Sequence, residues 1–540
     1  MEIKSALQER RRELFLTSTV GIFLLGLILL FLNGLGSWFF VRLDMTRSHA
    51  YSLSNSSREL VRNLEDPVVI KAYFTSDLPS PYNAYARYVK DLLLEYRSAS
   101  RGRVRFEFVP SIPLQAFEQK ADEAGMMPVQ FQEMGSDQFK IRRGYMGLVF
   151  YYRDKVEPLP VVRNPEQLEY DITSRLAKMT RKNKKILAIT TGHSEQDWRT
   201  SSSKLAKDLA DLYDIHEVAL PPTTTDFIKA DILFIAGPQV RLDDASLWVI
   251  DQMIMQGTPA VFCVDAKHLM LPQFIAAPHV LGLDELLKTY GVQVGKNLIY
   301  DAQCESVNMT QNLNGVAFTS SVQYPYLPSV THFEKDLPAL RGLEVVAMPF
   351  STRIDPVLPL PAGVRFTPLL SSSPQSWVAK EEAYSLAPTA IPTPTPDEPH
   401  GPFVLAALAE GTFPSHFAGK PVPTLSNKKL KLPPTILSSP ATSIAVLGTA
   451  QMLNPQIPGT PGGDALLMNL MAYLTKEETL IGIREKGEIV RPLKPVTPGT
   501  REGVKWGSIF GAPLLVVLWG LWRWRRRNVW RGMIATAFHS

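Results

Sequence analysis

Two uncharged apolar runs bracket the chain, and strand and helix rhythms alternate between them. From Leu14 to Val41 the sequence LFLTSTVGIFLLGLILLFLNGLGSWFFV holds no charged residue. As a helix it is roughly 40 Å long, enough to cross a hydrocarbon core of about 30 Å. Trp38, Phe39 and Phe40 stand where an interfacial aromatic belt would lie. The run is about twice the length of a signal-peptide core and no A-x-A site follows, so it predicts an uncleaved anchor. The second run, GSIFGAPLLVVLWGLW from Gly507 to Trp522, is short and contains Pro513. It has none of the polar face that a surface helix needs, and reads as a second span.

After the first run, an amphipathic helix is expected, with Ser54 or Asn55 as N-cap and Leu60, Val61 and Leu64 as its stripe. PVVIKAYFT (67–75) reads as a strand, YARYVKDLLLEYRSA as a helix and RVRFEFV as a strand, a βαβ order. YMGLVFYY and VEPLPVV look like a hairpin that closes this domain. EQLEYDITSRLAKMTRK leaves it as a helix with Leu168, Ile172, Leu176 and Met179 at helical spacing. From Lys184 onward KKILAITTG, ADILFIAGP and TPAVFCVD are near-continuous apolar strands separated by helical patterns. Strands of that kind belong to a parallel sheet covered on both faces. This doubly wound arrangement is expected to continue through LDELLKTYGV and NLIYD. Beyond about residue 306 the pattern loosens, and APTAIPTPTPDEPHGP (387–402) holds six prolines. Regular structure returns with PFVLAALAEG, TSIAVLGTAQML and the helix DALLMNLMAYLTKE.

The predicted fold class is therefore α/β, with two membrane-spanning helices flanking an N-terminal α/β domain and a doubly wound parallel-sheet domain. The boundaries are a tail over 1–13, a span over 14–41, a first domain over 42–182 and a second over 183–490. Within the second, about 306–440 is an irregular proline-rich insertion; a linker (491–505), a span (506–523) and a tail (524–540) follow.

The net charge of +5 invites a nucleic-acid reading until it is located. Residues 1–13 contribute about +1 and the tail after Trp522 about +5, which leaves about −1 for everything between. Arg10, Arg11 and Arg12 precede the first span, and Arg523, Arg525, Arg526 and Arg527 follow the second. The positive-inside rule then puts both termini in the cytoplasm and the bulk of the chain across the membrane, in a bacterium the periplasm. The expected surroundings are inner-membrane lipid and not nucleic acid. Two spans without an ionisable residue make neither a channel nor a transporter alone.

Catalytic and cofactor motifs are missing: no phosphate-cradling G-x-x-x-x-G-K-[ST], no G-x-G-x-x-G, H-E-x-x-H, C-x-x-C or G-x-S-x-G. No catalytic, cofactor-binding or metal-ligating residue is assigned, and no cofactor is expected. Of the chemistry-bearing stretches, T-G-H-S-E-Q-D (191–197) stands out, just past the carboxyl end of a strand where doubly wound folds place ligands. Gly192, His193 and Glu195 are candidate contacts for a ligand or partner. The plainer reading is a tight turn at Gly192, with Ser194 or a neighbour capping the next helix. Cys263 lies in apolar V-F-C-V and reads as a small hydrophobe; Cys304 follows NLIYD with no His or Lys beside it. The two are few enough to form at most one disulfide.

Several stretches, in order, resemble the GldG-type auxiliary components of ABC-2-type transport systems known from bacterial gliding motility. They are D-M-T-R-S-H-A-Y-S-L-S (44–54), E-D-P-V-V-I-K-A-Y-F (65–74), L-L-L-E-Y-R (92–97) and R-V-R-F-E-F (103–108). K-K-I-L-A-I-T-T-G-H-S-E (184–195), D-I-L-F-I-A-G-P (231–238), N-L-I-Y-D-A-Q-C-E (297–305) and N-L-M-A-Y-L (469–474) continue the likeness. Ser194 departs from the family's usual Gly in G-H-G-E. The resemblance implies a non-enzymatic subunit with a large periplasmic part, working beside a separate ATPase and a separate multi-span permease. A homodimer is compatible with it. Two other readings remain: a membrane-tethered hydrolase or amidotransferase-like enzyme using Cys304 or His193, and an envelope scaffold independent of any transporter.

Overall fold

The structure, a computed structural model, describes residues 53–477 apart from short internal stretches, residues 498–537, and six residues between 24 and 31. The described residues of 53–477 form one compact unit and those of 498–537 belong to another.

The first lobe of the large unit begins with α1 (Asn55–Arg62), capped by Ser54, whose side chain accepts the Ser57 N–H at 3.1 Å. Strand β1 (Val68–Phe74), helix α2 (Asn83–Ala99) and strand β2 (Val104–Phe108) form the expected βαβ unit, with β1 and β2 parallel. Helix α3 (Leu114–Glu123) and the hairpin β3 (Val129–Met134) and β4 (Phe139–Gly144) follow, elements that the sequence patterns did not call for. Strands β5 (Met146–Tyr152) and β6 (Lys155–Leu159) then complete a sheet of order β2-β1-β5-β6. Helix α4 (Leu168–Thr180) buries Leu168, Ile172, Leu176 and Met179 in this lobe's core. Its Ala177 instead joins the core of the second lobe, so one helix serves both.

The second lobe is built on strands β7 (Lys185–Thr191), β8 (Tyr213–Ala219), β9 (Ile232–Ala236), β10 (Ala260–Cys263) and, much later, β23 (Thr442–Leu447). Every residue of β9 and β10 is buried, as strands with helices on both faces must be. One face carries α6 (Ser203–Leu212) and α9 (Gly463–Leu474), the other α7 (Asp244–Met255) and α8 (Leu283–Thr289). A short helix, α5 (Trp198–Ser201), precedes α6.

Two expectations are corrected here. NLIYD belongs to β13 (Val292–Asp301), outside the parallel sheet, because the place beside β10 is taken by β23, with Ala260 opposite Ile444. Between β10 and β13 the chain makes a small hairpin, β11 (Lys267–Met270) with β12 (Ile275–Pro278). The stretch 306–440 is also far from irregular throughout. It carries most of the long ribbon β14 (Cys304–Leu313) and β15 (Val316–Val330), then β16 (His332–Phe333), β17 (Val346–Ala347) and β18 (Thr352–Pro356). Next come β19 (Arg365–Ser371), β20 (Ser376–Val378), β21 (Tyr384–Ser385) and β22 (Val404–Gly411). Strand β13 pairs antiparallel with β18 and β20, while β22 and β19 extend the main sheet antiparallel from β23. The order is β16-β19-β22-β23-β10-β9-β7-β8, a mixed sheet with a parallel half. Most of the proline-rich loop, 391–399, lies outside the described residues.

Helix α7 is covered on all sides. Asp243 caps it by accepting the Ser246 N–H at 2.8 Å. A late strap lies over it: Trp248 Nε1 donates to Thr435 Oγ1 at 3.1 Å, and the Ile436 N–H donates to Gln252 Oε1 at 2.6 Å. The fully buried Asp251 carboxylate accepts Tyr290 Oη (2.7 Å), Ser415 Oγ (2.7 Å) and the His416 N–H (2.8 Å). Burial beside Asp251 holds the Tyr290 phenol well above its ordinary value.

The second unit is helix α10 (Pro498–Ala537), so residues 498–505, expected as linker, are helical. Segments Gly499–Gly511 and Pro513–Asn528 meet at 42°, as an interior proline without an N–H dictates. Among the described residues no single helix is long and apolar enough to cross a membrane, while this bent pair is so by length and composition. Arg523 stacks over Trp519 and Arg526 over Trp522, at 5.5 and 5.1 Å from the ring centres. The first expected span and Arg10, Arg11 and Arg12 lie outside the described residues, except Leu24, Gly26, Leu27, Ile28, Leu30 and Phe31, which are helical and exposed.

Candidate functional site

The strand order reverses at β7, which has β8 on one side and β9 on the other. In open α/β sheets ligands bind outside the carboxyl ends of the strands at such a reversal. Gly192 and His193 follow β7, and Gly237 and Gln239 follow β9. Gly192 has φ +111°, and any Cβ there would run into the Leu220 carbonyl. Gly237 has φ +67°, and a Cβ would collide with that of Ala450. Both positions need glycine for conformation and for closeness.

His193 is 5% exposed, and its Nδ1 has no hydrogen-bond partner among the described residues. Its backbone is fully used: the carbonyl accepts the N–H groups of Gln239 (2.8 Å) and Val240 (3.1 Å). The His193 N–H donates to Glu195 Oε2 at 2.8 Å. Glu195 thus turns back onto the main chain of the same turn, which is where its carboxylate is anchored. Ser194 sits at φ +54°, the left-handed region that a glycine would enter without strain. The cap of α5 is Asp197, whose carboxylate accepts the Arg199 N–H at 3.0 Å.

The residue that sequence reasoning missed is Asp265, two positions past β10. It is 3% exposed, and its carboxylate accepts the Ala450 N–H (2.7 Å), Gln239 Nε2 (3.0 Å) and Gln451 Nε2 (2.6 Å). Burial pushes its pKa above the ordinary value, against the pull of those three donors. One carboxylate therefore ties together the loops after β9, β10 and β23. The available signal was the D that closes T-P-A-V-F-C-V-D. His279 adds Nε2 donating to the Gln239 carbonyl at 3.0 Å, with its ring 5.7 Å from that of His268. The crevice is thus laced by the protein's own groups.

The cysteines are both free. Burial pushes the fully buried Cys263 thiol up, and the half-buried Cys304 thiol up to about 11. Each is a thiol at neutral pH, not the thiolate a nucleophile requires. Among the described residues no group of three His, Cys, Asp or Glu side chains is placed to hold a metal ion.

Open space is found where α4 crosses α6 and α9. A cleft of about 180 Å³ there is lined by Glu157, Asp171, Arg175, Lys178, Asp211 and Asp464, among others. Lys178 Nζ lies 3.0 Å from both Glu157 Oε1 and Asp211 Oδ1, one carboxylate from each lobe. Burial works against its charge, but the two hydrogen bonds outweigh it and its pKa rises. Tyr170 Oη donates to Asp208 Oδ2 at 3.0 Å, and Arg181 bonds the Leu212 carbonyl (2.9 Å) and Glu477 Oε2 (2.8 Å).

A mixed α/β protein whose switch-point crevice is crossed by its own hydrogen bonds, beside a polar joint between lobes, is what the geometry defines. Residues 183–471 match the model of a family described as an ABC-type uncharacterized transport system, and the chain belongs to that family, as an auxiliary component. Residues 47–151 match a domain of unknown function. An uncharacterized protein of Borreliella burgdorferi is 23% identical over 500 residues, covering 90% of this chain and 93% of its own. A solved structure, the mmIFT52 N-terminal domain, covers 54% of this chain and 97% of itself at 12% identity, with a TM-score of 0.32. That overlap is too loose to carry an argument. An auxiliary component of an ABC-type transport system implies permease and ATPase partners and association with a membrane.

Proposed function

We propose that this chain is a GldG-type, non-catalytic subunit anchored in the bacterial inner membrane. Two spans, 14–41 and 506–523, place both termini in the cytoplasm and the two lobes in the periplasm. The spans pack against a separate ABC-2-type permease served by a separate ATPase. The periplasmic lobes bind the transported material or an envelope partner, with Gly192, His193 and Glu195 among the contacts. The family match over 183–471 carries this reading. The way Glu195 and Asp265 are spent on backbone and amide groups supports a non-catalytic role.

The test is affinity purification of the full chain from mild detergent, followed by identification of what comes with it. A multi-span permease and an ATPase in fixed proportion to the chain are expected. Recovery of the chain without any permease from membranes that contain one would sink the proposal.

A further inference from the structure

Beyond its base, where Val307, Tyr324 and Tyr326 pack with Leu298 and Phe350, the β14–β15 ribbon has no further strand beside it among the described residues. From the Ser306–Gln323 pair to the Leu313–Val316 pair its two strands bond only to each other among the described residues. Strand β17 reaches β15 only at Ser329 and Val330, at the base. Two-stranded ribbons are marginal in water without a third strand or a covering layer.

Its composition is unusual within this molecule. No Asp, Glu, Lys or Arg occurs from Ser306 through Phe333. Among the described residues the other open edges of four or more residues all carry charge, which discourages edge-to-edge pairing. On β2 these are Arg105 and Glu107, on β6 Lys155 and Glu157, and on β8 Asp214 and Glu217. Lys267 marks β11, Arg353 and Asp355 mark β18, Glu133 marks β3, and Lys140, Arg142 and Arg143 mark β4. The protection applied elsewhere is left off this one edge.

We infer that the outer edge of β14, Ser306–Leu313, is a homodimer interface, pairing antiparallel with the same edge of a second copy. An uncharged edge offers a charged partner nothing to recognise, and it offers an identical copy nothing that repels. Antiparallel pairing of identical edges about a two-fold axis is self-complementary, so one surface supplies both sides. The product is a continuous sheet β15-β14-β14-β15, in which each marginal ribbon gains a neighbour. Eight residues of overlap span about 27 Å and add about one inter-strand hydrogen bond per residue.

The test uses the full chain in detergent, with its mass measured by light scattering corrected for bound detergent. Two copies per particle are expected for the natural sequence. Asn308→Lys with Asn312→Lys puts like charges across the joined edges and should weaken dimerisation about tenfold or more. Ser321→Lys adds a charge opposite Asn308 but on β15, and should leave the dimer intact. If the double-lysine chain loses its thermal transition, single cysteines at 307–312 in a Cys263→Ser, Cys304→Ser background replace it. At least one of these should form a disulfide-linked dimer on mild oxidation. A natural chain that stays single at its highest concentration, a dimer indifferent to both lysines, or no linkage at any position overturns the inference.

Discussion

The crevice at the carboxyl ends of the parallel strands and the cleft between α4, α6 and α9 divide labour in an unexpected way. The crevice is where a doubly wound sheet ordinarily receives a ligand, yet here glycines let the loops close on Leu220 and Ala450, and Asp265 bonds three neighbours. The cleft has no such pedigree, yet it is open and lined with ionised groups that bridge two lobes. The crevice is held by buried hydrogen bonds, which salt scarcely touches. The cleft is held by half-exposed ion pairs, which salt weakens. Rigidity has been placed where the fold class leads one to seek chemistry, and adjustability where one lobe meets the other.

The comparison breaks most visibly at Asp265. Asp265→Ala leaves the Ala450 N–H and two glutamine amides without their acceptor and should cost about 3 kcal/mol or more. A lowered thermal midpoint in calorimetry is the readout, and a midpoint within a degree of the parent would show that the crevice is not the rigid element. Next comes Lys178→Gln, expected to cost about 1–2 kcal/mol and to raise hydrogen exchange in α4 above that in α7. Because the Lys178 pKa is raised, its contribution is complete below the ordinary value of 10.5 and fades as pH climbs past it. A bridge that weakened between pH 6 and 9 through Lys178 itself would contradict that sign. The smallest effect should come from Ser194→Gly, which removes left-handed strain at φ +54° and stabilises by about 0.5–1 kcal/mol. Urea titration reads it, and a loss of stability would mean that the serine makes contacts worth more than the strain.

The apolar strands and amphipathic α4 were legible because each is local: ILFIA and AVFC say that both faces are covered, and Leu168, Ile172, Leu176 and Met179 mark a stripe. What escaped was pairing. An apolar run such as VLAALA looks the same whether its neighbour runs parallel or antiparallel, so β22 could not be placed beside β23. NLIYD likewise resembled one more parallel strand until β23 was found in its slot. His193 and Glu195 look like a dyad on paper because they are two residues apart, but the turn delivers the carboxylate to a backbone N–H. Asp265 is a single letter with no motif around it, and its weight comes from Gln239 and Gln451, which only folding brings near.

Helix α7 and its late strap set an order of events. Strand β10 keeps one flank open until β23 arrives to seat Ile444 against Ala260. Trp248, Asp251 and Gln252 await Thr435, Ser415, His416 and Ile436. A chain emerging from its amino end therefore completes its first lobe early and holds the second unfinished until nearly everything has been delivered. During that interval a helix with a broad apolar surface and a bare sheet edge face the surroundings, a condition that invites aggregation and slows maturation. Truncations ending before residue 447 should yield a folded first lobe attached to a sticky, protease-sensitive remainder.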